Sequence, residues 1–428
     1  MRNTKVTKVS KDSVRRFDFQ KKPNKPCFLF PFARDVISKP LLKSKGFTLK
    51  KTNMESVNGP YLMLVTHSSF VDFLVMQVAV QPYKANNVMT LEGFNTYTEP
   101  LMRAMGVLAT RKFISDLHLI KNIKYCIDKL KNPFVLFPEA RYSLDGCTSY
   151  LPASTGKLIR MLRVPVVVLR IHGNFITNPQ WNKIEKNNRI EAEMIQIITP
   201  EEAKKMSVDE INARVREYFE YDDFKWQYEN KVKVDHPKRA EGLHCLLYKC
   251  PACKTENEMD SAGTKLWCMH CQKEWEMDEY GRLHASNGET EFAHIPDWSN
   301  WERECVRKEI EEGTYYFEDT VRVETLPGSL KFYQQGEGKL IQTPTETRVE
   351  CNYHGEPYVL SRSAMHLESM HIEYDYLGRG DCVDISIPDD SFWCYLSKRD
   401  AITKISFATE EMHKLAVLNA SNQGEKDS

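Results

Sequence analysis

The stretch YLMLVTHSSFVDFLVMQVAV, residues 61–80, decides the fold. Tyr61–Thr66 is a short, continuously apolar run that reads as a buried strand, and Phe70–Val80 reads as a helix. His67, Ser68 and Ser69 stand at the junction. His67 and Asp72 are five positions apart, and on one regular helix that spacing turns them by about 140°, so they would not meet. They meet only if His67 lies in the loop before the helix and Asp72 in its first turns. A carboxylate against one ring nitrogen fixes the tautomer and leaves the other nitrogen free to take a proton from an alcohol. A structural histidine satisfied by a neighbouring acid would leave the same local signature, so the pair alone does not decide.

Outward from this junction, short β-rich runs alternate with longer amphipathic stretches as far as about Asp223, the pattern of an α/β domain. Strands are expected at Asn87–Leu91, Phe134–Phe137, Val164–Ile171 and Ile190–Ile198. Helices are expected at Pro100–Met105, Ser115–Leu130, Ser154–Leu162 and Val208–Phe219, the last opened by a Ser207/Glu210 capping box. Pro165 cannot donate to a ladder and belongs at the start of its strand.

Three further blocks follow in order: GVLATR at 106–111, FVLFPEARYS at 134–143, and VPVVVLR at 164–170. Each has an ordinary structural explanation, but their joint order and spacing do not. This part of the chain resembles the glycerolipid acyltransferase family, which includes the 1-acylglycerol-3-phosphate acyltransferases. That family is marked by an H-x4-D block, a Gly-to-Arg block, an FPEGTR-like block and a later V-P-V-V strand. The resemblance covers about residues 50–220. It implies an α/β acyltransferase domain with a mixed sheet flanked by helices, over 50–225. It also implies that His67 deprotonates a glycerol hydroxyl while Asp72 holds it. Arg111 would bind the acceptor's phosphate, with Glu139 and Arg141 completing the pocket; the guanidinium fork suits phosphate. The acyl donor would be a thioester, acyl-CoA or acyl carrier protein, and the acceptor a lysophosphatidic acid-like lysophospholipid. The third block departs from the family pattern: it reads FPEARYS, without Gly-Thr, with the arginine one position nearer the acid. Nothing resembles a G-x-S-x-G elbow, so no acyl-serine is expected.

Past the polar stretch ENKVKVDHPKRAE (229–241), residues 244–284 form a compact cysteine unit. Cys250 and Cys253, then Cys268 and Cys271, make two CxxC knuckles that would close a tetrahedral four-thiolate site, a zinc ribbon or alternatively an iron site. With every position filled by protein, the metal would be structural. Residues 301–420 carry many short β-like runs, among them SLKFYQQ, KLIQT and ITKISFA, broken by turn signals such as Gly-Glu-Gly. An antiparallel barrel or sandwich is expected, closed by one helix from about Thr409 to Leu418, in the manner of a pleckstrin-homology-like barrel. A disordered tail is expected at 421–428.

Charge is sharply divided. Residues 1–240 hold 40 Lys+Arg against 24 Asp+Glu, a net +16, and residues 241–428 hold 19 against 35, a net −16. Nine basic residues fall in the first 26: Arg2, Lys5, Lys8, Lys11, Arg15, Arg16, Lys21, Lys22 and Lys25. Residues 1–49 therefore read as a basic arm that the apolar, Lys/Arg-flanked run CFLFPFARDVISKPLL (27–42) would lay on an anionic membrane lipid surface. A solvated flexible tail is the plainer reading of the same charges. A nucleic-acid-binding or scaffolding protein is the competing class, but the ribbon lies in the acidic half, which would repel phosphate. A degenerate acyltransferase domain that only binds lipid is the remaining alternative. No apolar run approaches the roughly 18 residues of a membrane span, and no secretory signal precedes Phe17. A cytoplasmic protein, peripheral on the inner membrane face, is therefore expected, with its twelve cysteines as reduced thiols or metal ligands.

Overall fold

The protein is described here by a computed structural model over residues 14, 16–94, 97–328 and 331–426. Arg2, Lys5, Lys8, Lys11 and Arg15 of the basic arm lie outside the described residues. The chain divides into two compact units. The first comprises 18–110 and 115–236; the second is built on 237 onward and takes in Arg111–Ile114.

The first unit is a seven-stranded mixed sheet. Its strands are β1 (Thr48–Thr52), β2 (Leu62–Val65), β3 (Asn86–Thr90), β4 (Val107–Thr110), β5 (Phe134–Leu136), β6 (Val166–His172) and β7 (Glu191–Ile198). Their order is β1-β7-β6-β2-β5-β3-β4, with only β6 and β7 antiparallel. All four residues of β2 are buried, because helices cover both faces. Met63 and Val65 enter a core with Val167, Leu169 and the helix Val71–Ala79. Leu62 and Leu64 enter the opposite core, with Ile123, Ile159, Ile211 and Val215 from three helices on the other face. The mixed sheet flanked by helices is the architecture expected. Pro165 lies just before β6 and its carbonyl accepts the Leu62 N–H at 3.0 Å, so it begins that strand without breaking a ladder. The Ser207/Glu210 capping box is formed. Strands β1 and β4 are additional to those expected; the second lies inside the GVLATR block, before Arg111.

Strand β2 sits between β5 and β6, where the chain, having built the β5-β3-β4 side, crosses to the other. In open α/β sheets the crevice beyond the carboxyl ends at such a reversal is where ligands bind. His67 follows directly from that end of β2.

Residues 29–44 form a helix with a π-helical turn at Arg34–Ser38 between α-helical ends. Phe30, Arg34, Ser38 and Leu42 face inward, a spacing of four that the wider turn permits, and Ser38 donates to Gln77 Oε1 at 2.5 Å. Phe28, Phe32, Val36, Ile37 and Leu41 are exposed. Among the described residues, no helix is long and apolar enough to cross a membrane.

The second unit holds a four-stranded antiparallel sheet of β8 (Met259–Ala262), β9 (Lys265–Cys268), β10 (Glu274–Met277) and β11 (Leu283–Ala285). It also holds a seven-stranded antiparallel sheet: β12 (Phe317–Thr325), β13 (Tyr333–Thr343), β14 (Glu346–Tyr353), β15 (Glu356–Ser363), β16 (His371–Glu373), β17 (Cys382–Ser386) and β18 (Ser391–Leu396). Its order is β15-β14-β13-β12-β18-β17-β16, a four-strand meander and a three-strand meander joined by pairing of the first and last strands.

Residues 295–311 form a helix whose buried Trp298, Glu302, Val306 and Ile310 recur every four residues. Three expectations are corrected here. ITKISFA is not a strand but the first turns of the closing helix Ile402–Lys426; Ile402, Ile405 and Ala408 recur at helical spacing, and β-branched composition masked that period. The same helix takes in the expected disordered tail as far as Lys426. Gly-Glu-Gly at 336–338 is no turn: it lies within β13, where Gly336 takes φ +93° beside a bulge at Val323/Glu324, and a Cβ on Gly338 would come within 2.6 Å of the Glu350 carbonyl.

Candidate active site

His67 lies in the loop after β2, and Asp72 is the second residue of the following helix, the one arrangement in which they meet. His67 Nδ1 and Asp72 Oδ2 are 3.1 Å apart. The same oxygen accepts the backbone N–H of Ser68 at 2.6 Å and of Ser69 at 3.0 Å, and Asn174 Nδ2 donates to the other oxygen. Asp72 is fully buried, and Ser68 N, Ser69 N and Asn174 Nδ2 all donate to it. Set against that acceptor, the Nδ1–H tautomer of His67 would turn its proton toward Asp72 and leave Nε2 with its lone pair. The ring is 23% exposed and packs against Phe137 and Tyr142, each with centroids 4.4 Å away. A half-sheltered imidazole with a bare nitrogen and a buried carboxylate behind it can serve as a general base.

The loop after β5 clamps the backbone of His67 on both sides. Glu139 Oε2 accepts the His67 N–H at 2.7 Å, and Ser143 N donates to the His67 carbonyl at 2.8 Å. The other Glu139 oxygen accepts Ser149 N at 2.6 Å. Burial pushes the Glu139 carboxyl up to about 8 against these two N–H groups. Ala140 adopts φ +55°, a left-handed conformation that suits glycine, at the position where the family pattern has Gly. Arg141 is buried, and its charge acts on Glu139 in the direction that favours the carboxylate. Tyr221 Oη lies 3.3 Å from Ser68 Oγ.

Of the five residues expected at the site, the structure gathers His67, Asp72 and Glu139 into one hydrogen-bonded group, with Arg141 beside Glu139. Arg111 belongs to the second unit. It is 4% exposed, and its guanidinium donates to the carbonyls of Leu326 (2.9 Å), Pro327 (3.0 Å) and Asp389 (3.2 Å) and to Ser391 Oγ (2.8 Å).

Sequence reasoning missed a second histidine–carboxylate pair. His172 Nδ1 is 3.1 Å from Asp223 Oδ1, and the ring stacks on Trp226 at 5.6 Å and 9°. Asp223 is fully buried and also accepts the N–H of Gly173 (3.1 Å) and Phe175 (3.2 Å). His172 and Asp223 stand 51 positions apart, so no local spacing could have shown the pair.

In the second unit the four expected cysteines converge. Their Sγ atoms lie within 4.8 Å of one another, and the pairs Cys250/Cys271 and Cys253/Cys268 are each 3.7 Å apart. A tetrahedron with metal–sulfur bonds of about 2.3 Å has edges of about 3.8 Å, so the cluster fits a zinc-sized tetrahedral ion, and the separations are far from a disulfide's.

Residues 48–172 match the family model described as Acyltransferase, a span that begins at β1 and ends at His172. The solved 1-acyl-sn-glycerophosphate (LPA) acyltransferase PlsC from Thermotoga maritima is similar at 16% identity and a TM-score of 0.33, over 44% of this chain and 80% of that one. A search of curated proteins returns no match. Residues 48–172 thus match an acyltransferase family model, and the chain also holds a four-cysteine cluster and an antiparallel β-rich region with a C-terminal helix.

Proposed function

We propose that the protein transfers a fatty acyl group from an acyl thioester, acyl-CoA or acyl carrier protein, to the hydroxyl of a lysophosphatidic acid-like glycerolipid. His67 Nε2 takes the hydroxyl proton as the oxygen attacks the thioester carbonyl, and Asp72 steadies the imidazolium through Nδ1. When the tetrahedral intermediate collapses, the carbon–sulfur bond breaks and the thiolate leaves with the proton returned from Nε2. The products are the acylated lipid and the free thiol. The observation that carries the reading is the fully buried Asp72, to which Ser68 N, Ser69 N and Asn174 Nδ2 donate and whose Oδ2 faces His67 Nδ1.

Arg141 and Glu139 complete the acceptor side in this reading, Glu139 by holding His67 in place. Arg111 would bind the acceptor phosphate only by giving up its four present acceptors, which makes Arg141 the stronger candidate.

Phe28, Phe32, Val36, Ile37 and Leu41, with Lys39, Lys43 and the basic residues that precede them in sequence, would rest on an anionic membrane surface and bring the site to its lipid substrate. The protein would then be cytoplasmic and peripheral on the inner face. Zinc on Cys250, Cys253, Cys268 and Cys271 would be structural. The test is acyl transfer by purified protein with each thioester class against a panel of lysolipids, alongside His67→Ala. Absence of turnover with every pair would refute the reading.

A further inference from the structure

The turn after β6 reaches back to the His67–Asp72 pair. Asn174 is fully buried, and its Nδ2 donates to Asp72 Oδ1, 102 residues away in sequence. The carboxylate fixes the amide's orientation, because only the NH2 side can face an acceptor. Among the described residues Asn174 Oδ1 is buried without a hydrogen-bond partner, a cost tolerated for the sake of the donor on the other side.

The turn that carries Asn174 is itself held rigid. Asp223 Oδ2 accepts the N–H groups of Gly173 and Phe175, one on each side of Asn174, and His172 Nδ1 meets the other oxygen of the same carboxylate. The Gly173 carbonyl accepts Thr177 N (3.1 Å), Thr177 Oγ1 (2.8 Å) and Asn188 Nδ2 (2.9 Å). Gly173 adopts φ +83°, and a Cβ there would lie 2.2 Å from the Arg189 carbonyl oxygen, so the backbone passes where only glycine fits.

We propose that Asn174 is a positioning residue for His67, with Asp223 fixing the turn that aims it. By occupying Oδ1 of Asp72, Asn174 locks the carboxylate's rotation, so that Oδ2 alone receives His67 Nδ1 together with Ser68 N and Ser69 N. The chain of contact runs from His172 through Asp223, the Gly173–Phe175 turn and Asn174 to Asp72 and His67. The catalytic consequence rests on the acyl-transfer reading above; the positioning itself does not.

The test compares wild type with Asn174→Ala and the isosteric Asn174→Asp, which offers Asp72 no amide donor. Ile176→Val, a packing change on the same short helix, serves as control. The tautomer of His67 is read from 15N shifts in histidine-labelled full-length protein, assigned with His67→Ala. The expected result is a pure Nδ1–H tautomer in wild type and Ile176→Val, and a mixture in both Asn174 variants. In the acyl-transfer assay kcat falls about 10–100-fold, as for other partners that orient a reacting group, with KM within about twofold. An unchanged tautomer in both Asn174 variants overturns the proposal, and so does a mixed tautomer in Ile176→Val. If wild type turns over no donor and acceptor pair, the acyl-transfer reading fails, and the tautomer, which needs no substrate, still decides this one.

Discussion

Glu139 holds His67 by its backbone: Oε2 accepts the His67 N–H at 2.7 Å across 72 residues of sequence, while Oε1 takes Ser149 N at 2.6 Å. The loop after β5 thus sets the position of His67, the base of the proposed reaction. Glu139→Gln turns an NH2 toward one of those N–H groups, so one bond is lost and a donor is left facing a donor. The expected cost is about 1–3 kcal/mol of stability, read from denaturant midpoints.

The same carboxyl predicts a pH dependence. Burial raises its pKa from 4.5 to about 8, so between those values the folded state holds a proton that the unfolded state has released. Stability then falls as pH rises through that window and levels off above about 8. Urea melts across the window should show this slope in wild type and lose it in Glu139→Gln; equal slopes would show that Glu139 is ionised throughout.

Arg111 separates two roles cleanly. Arg111→Ala leaves the carbonyls of Leu326, Pro327 and Asp389 without their donor, and should destabilise the second unit by on the order of 3 kcal/mol. Limited proteolysis followed by mass spectrometry reports on that unit directly. A raised acceptor KM with unchanged proteolysis would instead assign Arg111 to the phosphate.

Removing metal should act on the four-cysteine unit and not on the His67–Asp72 pair. One zinc per chain is expected by elemental analysis, lost in Cys268→Ser or under a strong chelator. Trp275 and Trp298, buried in edge-to-face contact at 4.9 Å, make fluorescence the reporter of the loosened ribbon.

The exposed face of residues 29–44 should carry lipid affinity. Phe32→Asp changes a side chain that is 59% exposed, so the fold should hold while partition onto anionic vesicles drops about tenfold or more, in line with the roughly 1.5–3 kcal/mol carried by a large apolar side chain. Unchanged partition would remove this face from the membrane contact.

What the sequence reveals is what lies close along the chain or repeats with a period. The His67–Asp72 pair, the buried strands, the capping box at Ser207 and the cysteine knuckles are all local. Asn174 and Asp223 are not: their partners lie 102 and 50 residues away, and nothing about an asparagine after a strand announces a carboxylate across the sheet. Ala140 at φ +55° and Gly336 inside a strand mislead for the complementary reason, since residue type suggests a backbone that tertiary contacts override. In ITKISFA, β-branched composition pointed to a strand while the period of Ile402, Ile405 and Ala408 pointed to a helix, and the helix is what packs.

The most direct test is the initial rate of acyl transfer from an acyl thioester to lysophosphatidic acid by the full-length chain and by His67→Ala, with matched circular dichroism. A base at Nε2 predicts a loss of about 10²–10⁴-fold. Turnover by His67→Ala at the wild-type rate would contradict the account.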